Sequence, residues 1–275
     1  MPLNMRKPAV AGSFYPGSKE PLKVALDNLM EFQIQNATPT GKLFGFVVPH
    51  AGYVYSGKTA AMAYSQLKGF KGRNFVLVGP NHASFPPYSA IYPSGQWNTP
   101  LGSVSIDERT SKFIANNCWT ARLDANAHSH EHSVEVQLPF LQYMLGNDIS
   151  ITTIIMGRQG PNEAHQLAEA ILKLQDDFIL ISSSDLNHYE SLELTIQKDH
   201  ALIDAITSLD IDCFYRTLEK HEVSACGYGP IAVLMEYTKA KAGALSLLGH
   251  TTSFDFSGDS KNVVGYCSFI SSKPS

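Results

Sequence analysis

The chain has 275 residues, of which 44% are hydrophobic and 17% charged, and carries a net charge of −4 at pH 7. A chain of this length buries roughly 75% of the surface its unfolded form exposes, so it needs no covalent staple, and its mild acidity with scattered basic residues argues against a nucleic-acid partner. Its four cysteines, Cys118, Cys213, Cys226 and Cys267, form no CxxC pair and so no disulfide framework or zinc ribbon; with no signal-like or membrane-spanning apolar stretch, a cytoplasmic protein is expected.

Residues 6–17 are rich in turn formers and aromatics and read as an ordered arm. Ser18 is placed to cap a helix over 21–33, with Leu22, Ala25, Leu29 and Phe32 on one face. A short loop over 36–41 precedes an apolar run, 43–48, that ends in Pro49-His50-Ala51-Gly52-Tyr53 and continues as a helix over 57–64. A buried strand feeding a turn and a helix is half of a βαβ unit. The pattern recurs where 74–78 runs into Gly79-Pro80-Asn81-His82. Residues 83–100 hold four prolines. There 89–92 and 103–106 are expected to pair as a hairpin lying over the mouth of the site, with a plain surface hairpin as the alternative. Asp107 caps a helix to about Asn117.

His128-Ser129-His130-Glu131-His132-Ser133-Val134-Glu135 follows, and a helix starting near Glu131 would put His132 and Glu135 on one face. A strand over 150–156 and a helix over 162–174 come next. Residues 178–182 then form a strand that delivers Ser183-Ser184-Asp185-Leu186-Asn187-His188. Helices over 190–208 and 210–219 follow. A turn over 224–230 enters a helix over 231–241, and strands over 244–254 and 262–271 close the chain. The alternation predicts one α/β domain over 1–275, a three-layer α/β/α sandwich on a mixed, largely parallel sheet.

In such sheets ligands bind at the carboxyl ends of the strands, and three strand ends each deliver a histidine: His50, His82 and His188. A lone histidine there is usually structural, but three together point to a metal, since neutral imidazole is a common ligand. Two histidines and one anion with open coordination positions suit an oxygen-activating or hydrolytic ion. The anion is first Cys226, just before a helix start whose dipole favours thiolate. Asp185, Glu131 and Glu135 are the alternatives. His132 is expected to face the cleft, whereas His128 and His130 read as members of a polar loop. The His-rich tract could also bind metal alone. The serine run 182–184 lacks a GxSxG elbow, so serine catalysis ranks low. Tyr53 and Tyr55 fit either the core or a ligand.

Several segments together resemble the Memo family, called AmmeMemoRadiSam system protein B in bacteria and archaea: Val10-Ala11-Gly12-Ser13-Phe14-Tyr15-Pro16, Pro49-His50-Ala51-Gly52-Tyr53, Gly79-Pro80-Asn81-His82, Glu131-His132-Ser133-x-Glu135, Ser184-Asp185-x-x-His188, Cys226-Gly227 and Val263-Val264-Gly265-Tyr266. The resemblance implies a fold like that of LigB-type class III extradiol dioxygenases, which use non-haem iron. Where those enzymes use two His and a Glu, it implies His50, His82 and Cys226 as metal ligands. His188 and Asp185 lie alongside, His188 as an acid/base or fourth ligand and Asp185 to orient it or hold its proton, and His132, read from the tract as facing the cleft, is counted with them among the catalytic residues. The metal implied is divalent, iron first, with copper or zinc as alternatives, because a thiolate is softer than a carboxylate. The function implied is a metal-dependent, oxygenase-like redox protein acting on a small molecule or peptide held in the cleft. A non-catalytic peptide- or protein-binding module is the alternative. The bacterial name implies partnership with AMMECR1-like and radical-SAM proteins.

Overall fold

The computed structural model describes residues 5–37, 41–83 and 85–273; part of the loop expected over 36–41 lies outside them. The elements run β1 (Met5–Arg6), α1 (Lys19–Asn36), β2 (Lys42–Val48), α2 (Tyr53–Tyr64), β3 (Asn74–Pro80), β4 (Ser89–Ile91), β5 (Gln96–Thr99), β6 (Gly102–Ile106), α3 (Glu108–Asn117) and β7 (Ala121–Leu123). They continue with α4 (Leu138–Leu145), β8 (Ser150–Met156), α5 (Pro161–Leu172), β9 (Ile179–Ser183), β10 (His188–Glu190), α6 (Leu192–Ser208), α7 (Ile211–Lys220), α8 (Tyr228–Ala240), β11 (Ala244–Thr252), α9 (Phe254–Ser257) and β12 (Val263–Lys273).

The strands form one mixed sheet in the order β1-β5-β6-β8-β3-β9-β2-β12-β10, with β11 on β12 and β4 joining β8 to β7. From β6 to β2 neighbouring strands are parallel, and β12 then runs antiparallel to β2. Apolar side chains alternate between the two faces with the strand period of two. Val76, Val78, Val47 and Leu180 meet α5, α6 and α8 in one core cluster. Phe75, Leu77, Phe46 and Ile181 meet α1, α2 and α4 in the other. The sheet therefore lies between two helical layers, as the alternating pattern predicts. No helix among the described residues is long and apolar enough to cross a membrane.

The expected hairpin differs. Residues 103–105 pair with 96–98 of β5, while β4 runs antiparallel to β8 and parallel to β7. This region widens the sheet and does not cover the cleft, because Trp97 is fully buried and anchors it to the core. Two further differences are small. α2 begins at Tyr53, inside the turn, and Ser18 sits at the N-cap of α1 without a side-chain cap bond. Asp107 does cap α3, its Oδ1 accepting from Thr110 N at 2.9 Å.

Candidate metal centre

β2, β3 and β9 lie side by side and parallel, so the turns that follow them open at the same edge of the sheet. Main-chain bonds tie these turns together. Ser184 N donates to Val48 O at 2.9 Å, and Asn81 N to Met156 O at 2.9 Å. Close approach is built in at two glycines. A Cβ on Gly79 would collide with Ser133, whose Oγ donates to Pro80 O, and one on Gly227 would collide with Ser183 O. The result is a cleft of about 790 Å³ lined by His50, His82, His132, Asp185, His188 and Cys226, with Phe14, Tyr55, Tyr189 and Tyr266 around them.

On one wall, hydrogen bonding assigns the imidazole tautomers. Ser183 Oγ donates to Ser133 O at 2.7 Å and accepts from Gln137 Nε2 at 2.9 Å. Its one proton is thereby used, so His50 Nδ1, 2.8 Å away, is the donor and Nε2 keeps a free lone pair. Burial, and then the nearby rings of His132 and His82, hold the His50 pKa well below its ordinary value. His82 Nδ1 lies 2.9 Å from Glu131 Oε1. A carboxylate only accepts, which again leaves Nε2 free.

Glu131 also accepts the main-chain N–H groups of His82 (2.7 Å), His132 (2.8 Å) and Ser133 (2.7 Å). Burial alone would raise its pKa, but the His82 contact and these N–H donors hold it below the usual carboxylate range. The same contact outweighs burial at His82 and raises that pKa, whereas burial lowers that of His132. The His132 ring stacks on His82 with centroids 4.5 Å apart and leans on Phe14 at 4.5 Å. One ligand atom from each of His50, His82 and His132 lies within 4.8 Å of the others. Donors of one ion sit about 2.0–2.3 Å from it, hence at most about 4.6 Å apart, so these residues could hold a metal ion.

The opposite wall carries Cys226, Asp185 and His188. Cys226 Sγ is 3.0 Å from His50 Nε2 and accepts from Asp185 N at 3.3 Å. With Asp185 and His50 it forms a second group of metal-like spacing. Burial, followed by the Asp185 charge, pushes the Cys226 thiol well up. That corrects the expected thiolate: the turn before α8 is packed inside the cleft, so desolvation outweighs the helix dipole. Asp185 is raised to about 6 by burial, against the main-chain N–H donors of His50 and Ala51. Its Oδ1 accepts from His50 N at 2.8 Å. His188, by contrast, is oriented by Ser224, whose O lies 3.0 Å from Nδ1 and whose Oγ accepts from His188 N at 2.8 Å. Ser224 thus takes the orienting role expected of Asp185.

The three strand-end histidines line one cleft, and His132 joins them. The expected ligand trio is split between the two groups, because Cys226 shares its group with His50 and not with His82. The histidines of the tract diverge: His128 is fully buried, His130 is exposed and His132 faces the cleft. His128 Nε2 bonds Ala90 O at 3.1 Å, which replaces the expected polar-loop role with a place in the core. Glu135 is also redirected. Helical structure starts only at Glu135, so His132 and Glu135 share no face. Glu135 is fully buried beneath the N-terminal arm, where it binds Arg6 Nη1 at 2.6 Å, Tyr15 OH at 2.7 Å and Ala9 N at 2.8 Å. Arg6 in turn donates to His128 O at 2.8 Å and Glu131 O at 2.7 Å and stacks over Trp97. Tyr53 belongs to the core, and Tyr55 to the cleft. Sequence reasoning did not assign the supports Ser183, Gln137 and Ser224. Only the serine run marked one of them.

Comparison with known proteins shows what the whole chain is similar to. The profile of the family described as Memo-like protein matches residues 6–270. A MEMO1 family protein of Thermoplasma acidophilum is 45% identical over 269 residues, covering 98% of this chain and 99% of that protein. Another, of Sulfolobus acidocaldarius, is 41% identical over 96% of this chain and 98% of that one. Among solved structures, an uncharacterized protein of Escherichia coli K12 superposes with a TM-score of 0.50 at 11% identity, over 83% of this chain and 99% of that one. That likeness is one of fold alone.

Proposed function

The chain belongs to the Memo family, and on that premise we propose that its cleft holds one divalent metal ion on His50 and His82 and works as an oxygenase-like redox centre on a small molecule or peptide. The observation that carries this is the pair of fixed tautomers: both Nδ1 atoms are tied to partners on buried side chains, Ser183 and Glu131, so both Nε2 atoms keep a lone pair, that of His50 facing the Cys226 thiol at 3.0 Å. Outer partners of this kind orient metal-binding imidazoles and raise their basicity. The third donor comes from the two neighbours at hand, Cys226 or His132. The metal, when bound, supplies a Lewis-acidic centre with open positions, redox-active if it is iron or copper.

The remaining residues serve the ligand. His188, with Nδ1 donating to Ser224 O, presents Nε2 as an acceptor for a ligand proton. Asp185 lies next to Cys226 and His50, where its carboxylate, raised to about 6 by burial, can take up and return a proton in mildly acidic to neutral solution. Phe14 and Tyr266 narrow the cleft against water, and Tyr55 offers a ring face at its mouth. A second reading, a binding module without turnover, draws on the aromatics at the rim: Tyr55 is 44%, Phe256 58% and Tyr189 73% exposed.

Metal analysis of protein purified without chelator, followed by titration with Fe(II), Cu(II) and Zn(II), tests the proposal. Near-stoichiometric uptake that His50→Ala abolishes supports it. A folded protein that takes up none of these ions overturns it and leaves the binding module.

A further inference from the structure

β2 and β9 end at the metal cleft and begin at the opposite edge of the sheet, about 20 Å away along the strands. At that edge a second cavity, of about 550 Å³, lies between the starts of these two strands, the turn after α2 and the end of α8. Its walls are rings. Phe44 and Tyr237, each only 6% exposed, meet edge to face with centroids 6.3 Å apart, and Phe178 leans on Tyr237 at 5.6 Å. Phe70 supplies a fourth ring from a turn that glycine permits: Gly69 takes a φ of 77°, and a Cβ on Gly72 would collide with the Phe70 ring. Phe70 and Phe178 are half-buried, so apolar ring surface is left facing the open space.

The polar groups of this cavity are unevenly matched. Asp176 is paired with Arg109, and Asp177 with Lys42 at 3.5 Å. Lys68 and Lys241 have no carboxylate partner among the described residues: Lys68 Nζ donates to Ile34 O at 3.2 Å, and Lys241 Nζ sits over the Tyr237 ring at 5.5 Å. The hydroxyl of Tyr237 makes no hydrogen bond among the described residues, although the residue is more than nine-tenths buried. A buried hydroxyl is ordinarily paired. Burial, then the Asp177 charge, pushes the Tyr237 pKa up to about 12, so the group keeps its proton and stands as a donor. We propose that this cavity is a second ligand site, independent of the metal cleft, which takes a flat aromatic acid with its ring among the four aromatic side chains and its carboxylate between Tyr237 OH and the ammonium groups of Lys68 and Lys241. Offset and edge-to-face contacts give such a ring its fit, and charge-assisted hydrogen bonds select the acid over a neutral analogue.

2-Naphthoate is the probe and 2-naphthamide its neutral counterpart, each titrated into the full chain by calorimetry. The expected result is saturable binding of the naphthoate and about tenfold weaker binding of the amide. Lys68→Glu/Lys241→Glu, a reversal of two exposed charges each worth a few-fold, should weaken the naphthoate about tenfold, and Tyr237→Phe roughly two- to tenfold. Amide spectra of labelled protein locate the probe, whose signature is shifts over residues 68–72 and 176–178. Shifts confined to 50–55 and 185–189 would put the probe in the metal cleft and overturn the inference. No binding at millimolar naphthoate overturns it too, as does equal affinity for the amide or indifference to the lysine reversal. The comparison of acid with amide uses wild-type protein and decides by itself if a variant fails to fold.

Discussion

Behind His82 and His132 lie two buried carboxylates, Glu131 and Glu135, and the guanidinium of Arg6. Behind His188 and Cys226 lie a hydroxyl, Ser224, and an amide, Asn187. The carboxylate on that wall, Asp185, faces His50 N, and Asp199 and Glu190 meet the loop through Asn187 N at 3.0 Å and Asn187 Nδ2 at 2.6 Å, so the atoms that hold His188 are those of neutral Ser224. The difference matters because a buried charge tolerates no loss of partner, whereas a neutral group in the same place is cheaper to perturb. The first wall is thus held in one arrangement. The second can adapt, and at its rim Tyr189 is exposed and takes a left-handed φ of 59°. A preset wall suits a metal, and an adaptable one suits a variable ligand.

The contrast breaks most visibly at Arg6. Arg6→Ala strands Glu135 without its cation and should cost about 3–5 kcal/mol, whereas Asn187→Ala should cost about 1–3 kcal/mol for unsatisfied groups. Urea unfolding of both variants measures this, and equal losses would remove the distinction between the walls. Glu131→Gln sharpens it at the level of function. One oxygen fewer is left for four N–H donors, so zinc affinity should fall roughly 10–100-fold, while Ser224→Ala on the other wall should leave it nearly unchanged. Isothermal titration calorimetry separates the two.

The third prediction concerns acid. Burial, then the Arg6 charge, brings the pKa of His128 from 6.5 down to about 3. The folded state therefore refuses a proton that the unfolded state accepts. Stability should be complete above about 6.5, fall as pH drops from there toward about 3, and level off below. In His128→Phe that part of the stability–pH curve should flatten, and a curve unchanged by the substitution would acquit His128. The smallest effect is at the thiols. In metal-free protein an alkylating reagent should label Cys213 ahead of Cys226: both are partly exposed, but burial of the sulfur and the Asp185 charge hold the Cys226 thiol up. Faster labelling of Cys226 would mean that the second wall opens far enough to solvate it.

How much of this was legible in the sequence follows from interaction range. The parallel strands were readable because their apolar runs end at turn residues, and His50, His82 and His188 because they directly follow those runs. The β5–β6 pairing was not, since Trp97 pairs with Val104 while Ser89 pairs with Met156, far along the chain. The supports of the site were hidden for the same reason: Glu131 serves a ring 49 positions away, and Gln137 and Ser183 meet across 46. Glu135 illustrates the reverse hazard. Its distance of three from His132 suggested a shared face, but a non-helical turn sends the two in different directions. For Cys226 the local cue, a helix start, was present, and the burial that overrides it is a property of the whole cleft.

The cleft takes Phe14 from the arm and Tyr266 from β12, with every other contributing segment between them. During synthesis the arm leaves the ribosome long before β12 exists, so no partial chain can present a finished cleft. Whatever binds there recognises only completed molecules and stabilises only them, by about 2.7 kcal/mol at a concentration one hundred times its dissociation constant. Resistance to proteases gained on ligand addition would therefore mark the moment at which the arm and the last strand have both docked, making the occupied cleft a checkpoint on the biogenesis of the chain.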